Sequence, residues 1–171
     1  MNAQLDHLVV IAATLDEGVA WCEATLGLTP GPGGQHALMG THNRLFSIAS
    51  PAFPLAYFEI IAIDPAAPAP ARRRWFDMDA PTLQARVQRD GPQLAHWVAR
   101  VDDAPAAVVA LQAQGINRGE VIAACYACLG LMVRESAVLK AFTLRPSRTR
   151  PSLLGIPPVR TARLLARGPI A

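Results

Sequence analysis

Two hydrophobic periods alternate along the chain. Residues 5–11 are rich in Leu, Val and Ile, with Asp6 and His7 the polar positions, and read as a strand. A helix follows. Thr14 is a good N-cap with Glu17 at capping-box spacing, and Leu15, Val19, Cys22 and Leu26 share one helical face. Gly27 stands where a left-handed cap would end it. The stretch Pro30-Gly31-Pro32-Gly33-Gly34 is a loop. Short strands are predicted over 35–39 and 43–47, joined by a turn at Gly40-Thr41-His42, and a stronger one over 55–63. The order is β-α-β-β-β.

Residues 64–71 form a Pro/Ala linker, followed by Arg72-Arg73-Arg74-Trp75-Phe76 and a helix over 81–89. The arginines are expected on a solvated face, and Trp75 and Phe76 against the edge of the next unit. Residues 94–101 then form a strand containing His96. Asp103 caps a helix that runs to Gly115 with Ala107, Val108 and Leu111 on its apolar face. Here the chain repeats its opening. His7 and His96 each precede a cap residue, Thr14 and Asp103, by the same interval, and each helix stops at a glycine. Beyond Gly115 the periodicity weakens. Strands are expected over 120–124, 127–133 and 137–144, and a short helix over 159–167.

Composition narrows the class. A chain of 171 residues, 51% apolar, can bury a sizeable core. No run is long enough to span a bilayer, and the first residues lack the character of a signal peptide, so a cytoplasmic protein with no membrane partner is expected. Three cysteines do not make a disulfide framework. Cys125 and Cys128 form a C-x-x-C in strand-like sequence, without the further ligands a zinc site needs. The net charge of +3 conceals an asymmetry: residues 1–120 hold 12 acids and 8 arginines, a balance of −4, and residues 121–171 hold 8 basic residues and one acid, a balance of +7. The basic end carries its aromatics, Tyr126 and Phe142, ahead of the arginines, so no nucleic-acid partner is expected.

Three residues are candidate metal ligands: His7, Glu59 and His96. Each is a polar residue inside an apolar strand, where alternation can aim it into a cavity. An ionised Glu59 among Tyr57, Phe58, Ile60 and Ile61 is costly unless paired or metal-bound. Pairing with Arg44 or Arg100 is the alternative, as a hydrogen-bonded structural role is for either histidine. Two imidazoles and a carboxylate suit Zn²⁺, Fe²⁺, Mn²⁺, Co²⁺ or Ni²⁺ and leave positions open for substrate oxygens.

The stretches Leu5-Asp6-His7-Leu8-Val9-Val10, His36-Ala37-Leu38-Met39-Gly40-Thr41-His42-Asn43-Arg44-Leu45, Tyr57-Phe58-Glu59-Ile60-Ile61-Ala62-Ile63-Asp64 and His96-Trp97-Val98-Ala99-Arg100 resemble glyoxalase-like domain proteins of the vicinal-oxygen-chelate superfamily. The resemblance covers about residues 4–121. It implies an α+β fold, two paired βαβββ modules forming a cupped mixed sheet around a divalent metal. His7 and Glu59 match the first module's ligands and His96 the second module's first ligand. His42, Asn43 and Arg44 fall where substrate would be touched. The implied chemistry is metal-dependent lyase, isomerase or dioxygenase action on a small molecule with vicinal oxygens; the alternative is non-catalytic sequestration of a small molecule, as in resistance-type members.

The chain departs from the family at its end. A fourth ligand is expected late in the second module, and Glu135 is the only acid after Glu120. Pro151-Ser152-Leu153-Leu154-Gly155-Ile156 resembles the family's stretch there, with Gly155 in place of the acid. A shifted reading frame or a divergent C-terminus would each produce this. The expected organisation is a first module over 4–64, a linker with a short helix over 65–92, a partial second module over 93–145 and a basic tail over 146–171. An incomplete module leaves strand edges uncovered, which predicts a homodimer.

Overall fold

The computed structural model describes residues 3–117 and 121. The strands and helix expected beyond residue 118, the Cys125/Cys128 pair, Glu135 and the basic tail lie outside the described residues. The fold is mixed α+β. Strand β1 (Ala3–Ile11) leads into helix α1 (Leu15–Leu26), then β2 (Gln35–His36), β3 (Thr41–Ser47) and β4 (Tyr57–Ile63). Helix α2 (Pro81–Asp90), strand β5 (Gln93–Val101) and helix α3 (Ala104–Gln112) follow. Five strands form one open sheet in the order β2-β3-β4-β1-β5. The β1–β4 pair is parallel because α1 carries the chain across the sheet; the other pairs are antiparallel.

The helix ends follow their caps. Thr14 accepts from the Glu17 amide, Asp103 accepts from the Ala106 amide, and Gly27 closes α1 at φ 69°. The expected 35–39 strand shortens to two residues, because 37–40 form the turn and β3 begins at Thr41. Among the described residues no helix is long and apolar enough to cross a membrane.

Alternation splits the core in two. On one face Val10, Ala12 and Ile60 pack with Cys22 of α1, and Leu15, Trp21, Phe46 and Phe58 line its edge. Ala99 and Val101 of β5 pack there against Ala104 and Ala107 of α3. On the other face Val9, Ile11, Ile61 and Val98 pack against Phe76, Met78, Leu83 and Val87. The segment between β4 and β5, read as a linker with solvated arginines and with Trp75 and Phe76 at an edge, is therefore a strap across the second face. Its arginines divide: the Arg74 amide and guanidinium both donate to Asp79, at 2.7 and 2.6 Å, and pull the strap into a tight turn.

The Pro/Gly loop is set by close approach. Gly31 donates to Leu45 O at 2.8 Å, and Gly34 O accepts from the Asn43 amide at 3.0 Å. A Cβ on Gly33 would overlap the Asn43 carbonyl and side chain, whereas one on Gly31 would meet only Leu45 O at 3.3 Å. The obstacle at Gly33 is backbone and cannot rotate away. Gly33→Ala is therefore expected to cost about 1–3 kcal/mol, and Gly31→Ala clearly less. Urea midpoints of the two variants check this; equal midpoints would contradict the loop's path over Asn43.

Candidate functional site

The strap face of the sheet carries a largely buried polar array that draws on all five strands. Its centre is His7 on β1. By alternation Asp6 and His7 should face opposite sides. The β1–β5 register prevents that: Leu5 pairs with Ala99 and His7 with Val98, so Asp6 is an extra residue on β1. This bulge brings Asp6 to the same face as His7. Asp6 Oδ1 lies 2.6 Å from His7 Nδ1, and Asp6 Oδ2 accepts from Nε and Nη2 of Arg100 at 2.9 and 2.6 Å. Sequence reasoning passed over Asp6; the Asp-His dipeptide was visible, but the bulge was not.

On its other side His7 Nε2 stands 3.4 Å from Glu59 Oε2. Val9 pairs with Glu59 in the parallel register, so Glu59 lies two positions along the same face from His7. Asn43 Nδ2 donates to Glu59 Oε1 at 2.6 Å, and Asn43 Oδ1 accepts from the Gly34 amide at 2.8 Å. The second Asn43 N–H reaches His36 Nε2 at 3.3 Å, which leaves His36 Nδ1 to donate to Thr41 Oγ1 at 2.9 Å. The Tyr57 ring stacks on His7 with centroids 4.4 Å apart. Glu59 and Asp6 are 5% and 2% exposed, so these contacts stand in for water.

Burial pushes the Glu59 carboxyl up, but the hydrogen bond and charge of His7, the Asn43 amide and His36 outweigh it and hold the group below the ordinary carboxylate value. Asp6 is likewise raised by burial and lowered further by His7 and Arg100. Burial depresses His7, yet Asp6 and Glu59 together raise it above the ordinary imidazole value. All three directions favour an imidazolium held between two carboxylates.

The remaining candidates are placed as follows. His96 is diagonal to His7 on the same face, since His7 pairs with Val98 and Val9 with His96. Its Nε2 lies 2.7 Å from the Phe76 carbonyl, and the Phe76 ring touches both histidines, with centroids 5.4 Å from His96 and 6.4 Å from His7. The structure thus brings His7 and Glu59 together and turns His96 toward the strap. Among the described residues no three His, Cys, Asp or Glu side chains converge as a metal-binding group. Of the three β3 candidates, Asn43 is buried in the array; His42 and Arg44 alternate to the other face, and Arg44 is exposed. Glu59 pairs with neither Arg44 nor Arg100, because Arg100 is taken by Asp6. Phe76, which sequence reasoning set at an edge, is instead 5% exposed and central.

These shifts fix a pH dependence. His7 is raised, so its stabilising share is fully present below the ordinary value of 6.5 and is lost as pH rises through the folded-state value. Glu59 and Asp6 are lowered, so their shares are present above the ordinary values of 4.5 and 3.8 and are lost as pH falls through the folded-state values. Glu59→Gln removes one of the two carboxylates that raise His7. Its alkaline-side loss of stability should therefore begin at lower pH than in the wild type. Urea midpoints across the pH range check this; an alkaline limb unmoved by Glu59→Gln would mean that the pair is not coupled.

The glyoxalase-like domain model matches residues 5–126. Among solved structures, methylmalonyl-CoA epimerase from Mycobacterium tuberculosis is similar at 20% identity and a TM-score of 0.44, over 66% of this chain and 64% of that one. A Streptomyces coelicolor methylmalonyl-CoA epimerase in complex with 2-nitronate-propionyl-CoA is similar at 16% identity and a TM-score of 0.44, over 66% and 71%. A hypothetical protein from Staphylococcus aureus is similar at 19% identity and a TM-score of 0.45, over 72% and 45%. The chain thus spans just under two thirds of the length of the Mycobacterium tuberculosis epimerase. No curated protein matches. The family match runs from within β1 through α3, with every residue of the polar array, and the chain belongs to the glyoxalase-like domain family.

Proposed function

We propose that this chain binds a divalent metal through His7 and Glu59 and presents it to a small molecule with vicinal oxygens, as a glyoxalase-type lyase, isomerase or dioxygenase. One observation carries the reading. His7 Nδ1 is engaged by Asp6 at 2.6 Å, while Nε2 faces a carboxylate oxygen at 3.4 Å. That second distance is long for a charge-assisted hydrogen bond, which runs at about 2.7–2.9 Å. It matches the edge between two ligands of a tetrahedral site, roughly 3.4 Å for bond lengths near 2.1 Å. With a neutral ring protonated at Nδ1, Nε2 and Oε2 each present a lone pair to the gap between them, where a divalent cation would be held. The donor chemistry fits as well: imidazole and carboxylate suit Zn²⁺, Fe²⁺, Mn²⁺, Co²⁺ and Ni²⁺.

His7 and Glu59 would hold the ion, and His96, one diagonal step away, is the third ligand proposed. When bound, a divalent ion polarises a carbonyl or enolate oxygen. The chain's own residues do the rest. Asn43 orients Glu59 by donating to Oε1, which leaves Oε2 for the ligand role. Tyr57 covers one face of His7 and fixes the ring plane. Phe76 and its strap keep water from that face of the sheet, which strengthens every charge interaction there.

A second reading is non-catalytic sequestration of a small molecule. It is favoured by the Phe76 carbonyl on His96, which leaves two of the three proposed ligands facing each other. Turnover of a vicinal-oxygen substrate by the metal-loaded protein would decide for the first reading, and stoichiometric binding without turnover for the second.

Elemental analysis after purification without added metal, followed by titration with Zn²⁺, tests the shared core of both. The wild type should take up one equivalent. Loss of an outer-shell partner costs about 10–100-fold in affinity, so loss of a ligand in Glu59→Ala should weaken binding by more than about 100-fold. Equal, near-zero metal in both proteins would sink the proposal.

A further inference from the structure

We infer that Asp6, anchored by Arg100, is the positioning residue of His7: it holds the ring proton on Nδ1 and so aims the Nε2 lone pair at Glu59. This rests on reading Nε2 as a ligand atom, but its first test does not.

Three observations combine. The bulge at Asp6 places two consecutive side chains on one face, which a regular strand forbids. Asp6 is almost fully buried, and its two oxygens are divided between partners: Oδ2 accepts both Arg100 donors, and Oδ1 is left for His7 Nδ1. A neutral imidazole has a single N–H, and the two carboxylates compete for it from 2.6 Å on the Asp6 side and 3.4 Å on the Glu59 side. The nearer acceptor takes it. Tyr57 restrains the tilt of the ring, and Asp6 fixes its rotation within that plane. A carboxylate on the distal nitrogen of a liganding histidine is the general means of fixing its tautomer and basicity. Here a backbone irregularity supplies it from the neighbouring residue.

A cross-strand clamp between β1 and β5 would account for the Asp6–Arg100 pair alone. It would not determine which nitrogen of His7 carries the proton. Nitrogen-15 NMR of the ring in the metal-free full chain, at a pH where the ring is neutral, reads this directly. The wild type should show Nδ1–H. In Asp6→Ala the proton should move to Nε2 and be donated to Glu59. Asp6→Asn keeps an acceptor oxygen and should restore Nδ1–H. A wild type with Nε2–H, or an Asp6→Ala protein that keeps Nδ1–H, overturns the inference; should Asp6→Ala fail to fold, the wild-type and Asp6→Asn spectra still decide it. Zn²⁺ titration forms the second arm. Asp6→Ala should bind about 10–100-fold more weakly than the wild type. If the tautomer shifts as expected while the wild type binds no metal, the metal reading fails and the positioning role stands.

Discussion

The fold is organised around the burial of an ionised Glu59 in the middle of an apolar strand. Ile60 and Ile61 beside it are wholly buried, and Glu59 itself is nearly so. A bare carboxylate in such a place would neutralise rather than remain charged. It stays ionised because its two neighbouring strands, β1 and β3, bring polar groups to it. The parallel register with β1 brings His7, the antiparallel register with β3 brings Asn43, and β5 brings Arg100 to the Asp6 end of the same array. The strand order puts β4 and β1 side by side at the centre of the sheet, which lets one residue from each form the central pair.

The strap is the second constraint, and it is strained. Phe76 and Asp77 adopt φ of 58° and 54°, values that bulky residues rarely take. Such a residue costs on the order of 1–3 kcal/mol. What holds the pair is local and specific: the Arg74–Asp79 clasp on the outside, the buried Phe76 and Met78 side chains inside, and the Phe76 carbonyl on His96. Strain beside a polar array is a common feature of functional sites, and here the strained carbonyl is the group that engages a candidate ligand.

Much of this was legible in the chain. Periodicity located β1, α1, β4, α2, β5 and α3, and Thr14, Gly27 and Asp103 marked ends of α1 and α3. His7, Glu59 and His96 were legible as polar residues in apolar strands, and all three lie on the strap face of the sheet. What escaped was whatever depends on register. A bulge carries no compositional mark, so Asp6, which plain alternation puts on the opposite face, was passed over. Period 2 separates Asn43 from His42 and Arg44 wherever the strand begins, but the turn was set two residues late, so the three were grouped by their place at the turn rather than divided between faces. The strap escaped because Arg72-Arg73-Arg74-Trp75-Phe76 has no period, and its path is decided by tertiary contacts that local sequence does not encode.

The two constraints meet at His96. A cation held by His7 and Glu59 satisfies both groups without moving the strap, since neither bonds to it. Recruiting His96 through Nε2 breaks the Phe76 carbonyl contact, whose net worth is of the order of 0.5–1.5 kcal/mol as a hydrogen bond. The left-handed turn opposes that contact with strain of similar or greater size. The strap is therefore held less by its bond to His96 than by Phe76 and Met78 in the core. Access to His96 is thus a question of side-chain packing more than of polar competition. A small molecule that replaced the Phe76 ring with apolar contact of its own would offset the main cost of exposing all three groups. A bare ion would offer no such contact, so under the proposed metal reading it would meet two residues, and the third would be reached only if an organic ligand took the place of Phe76.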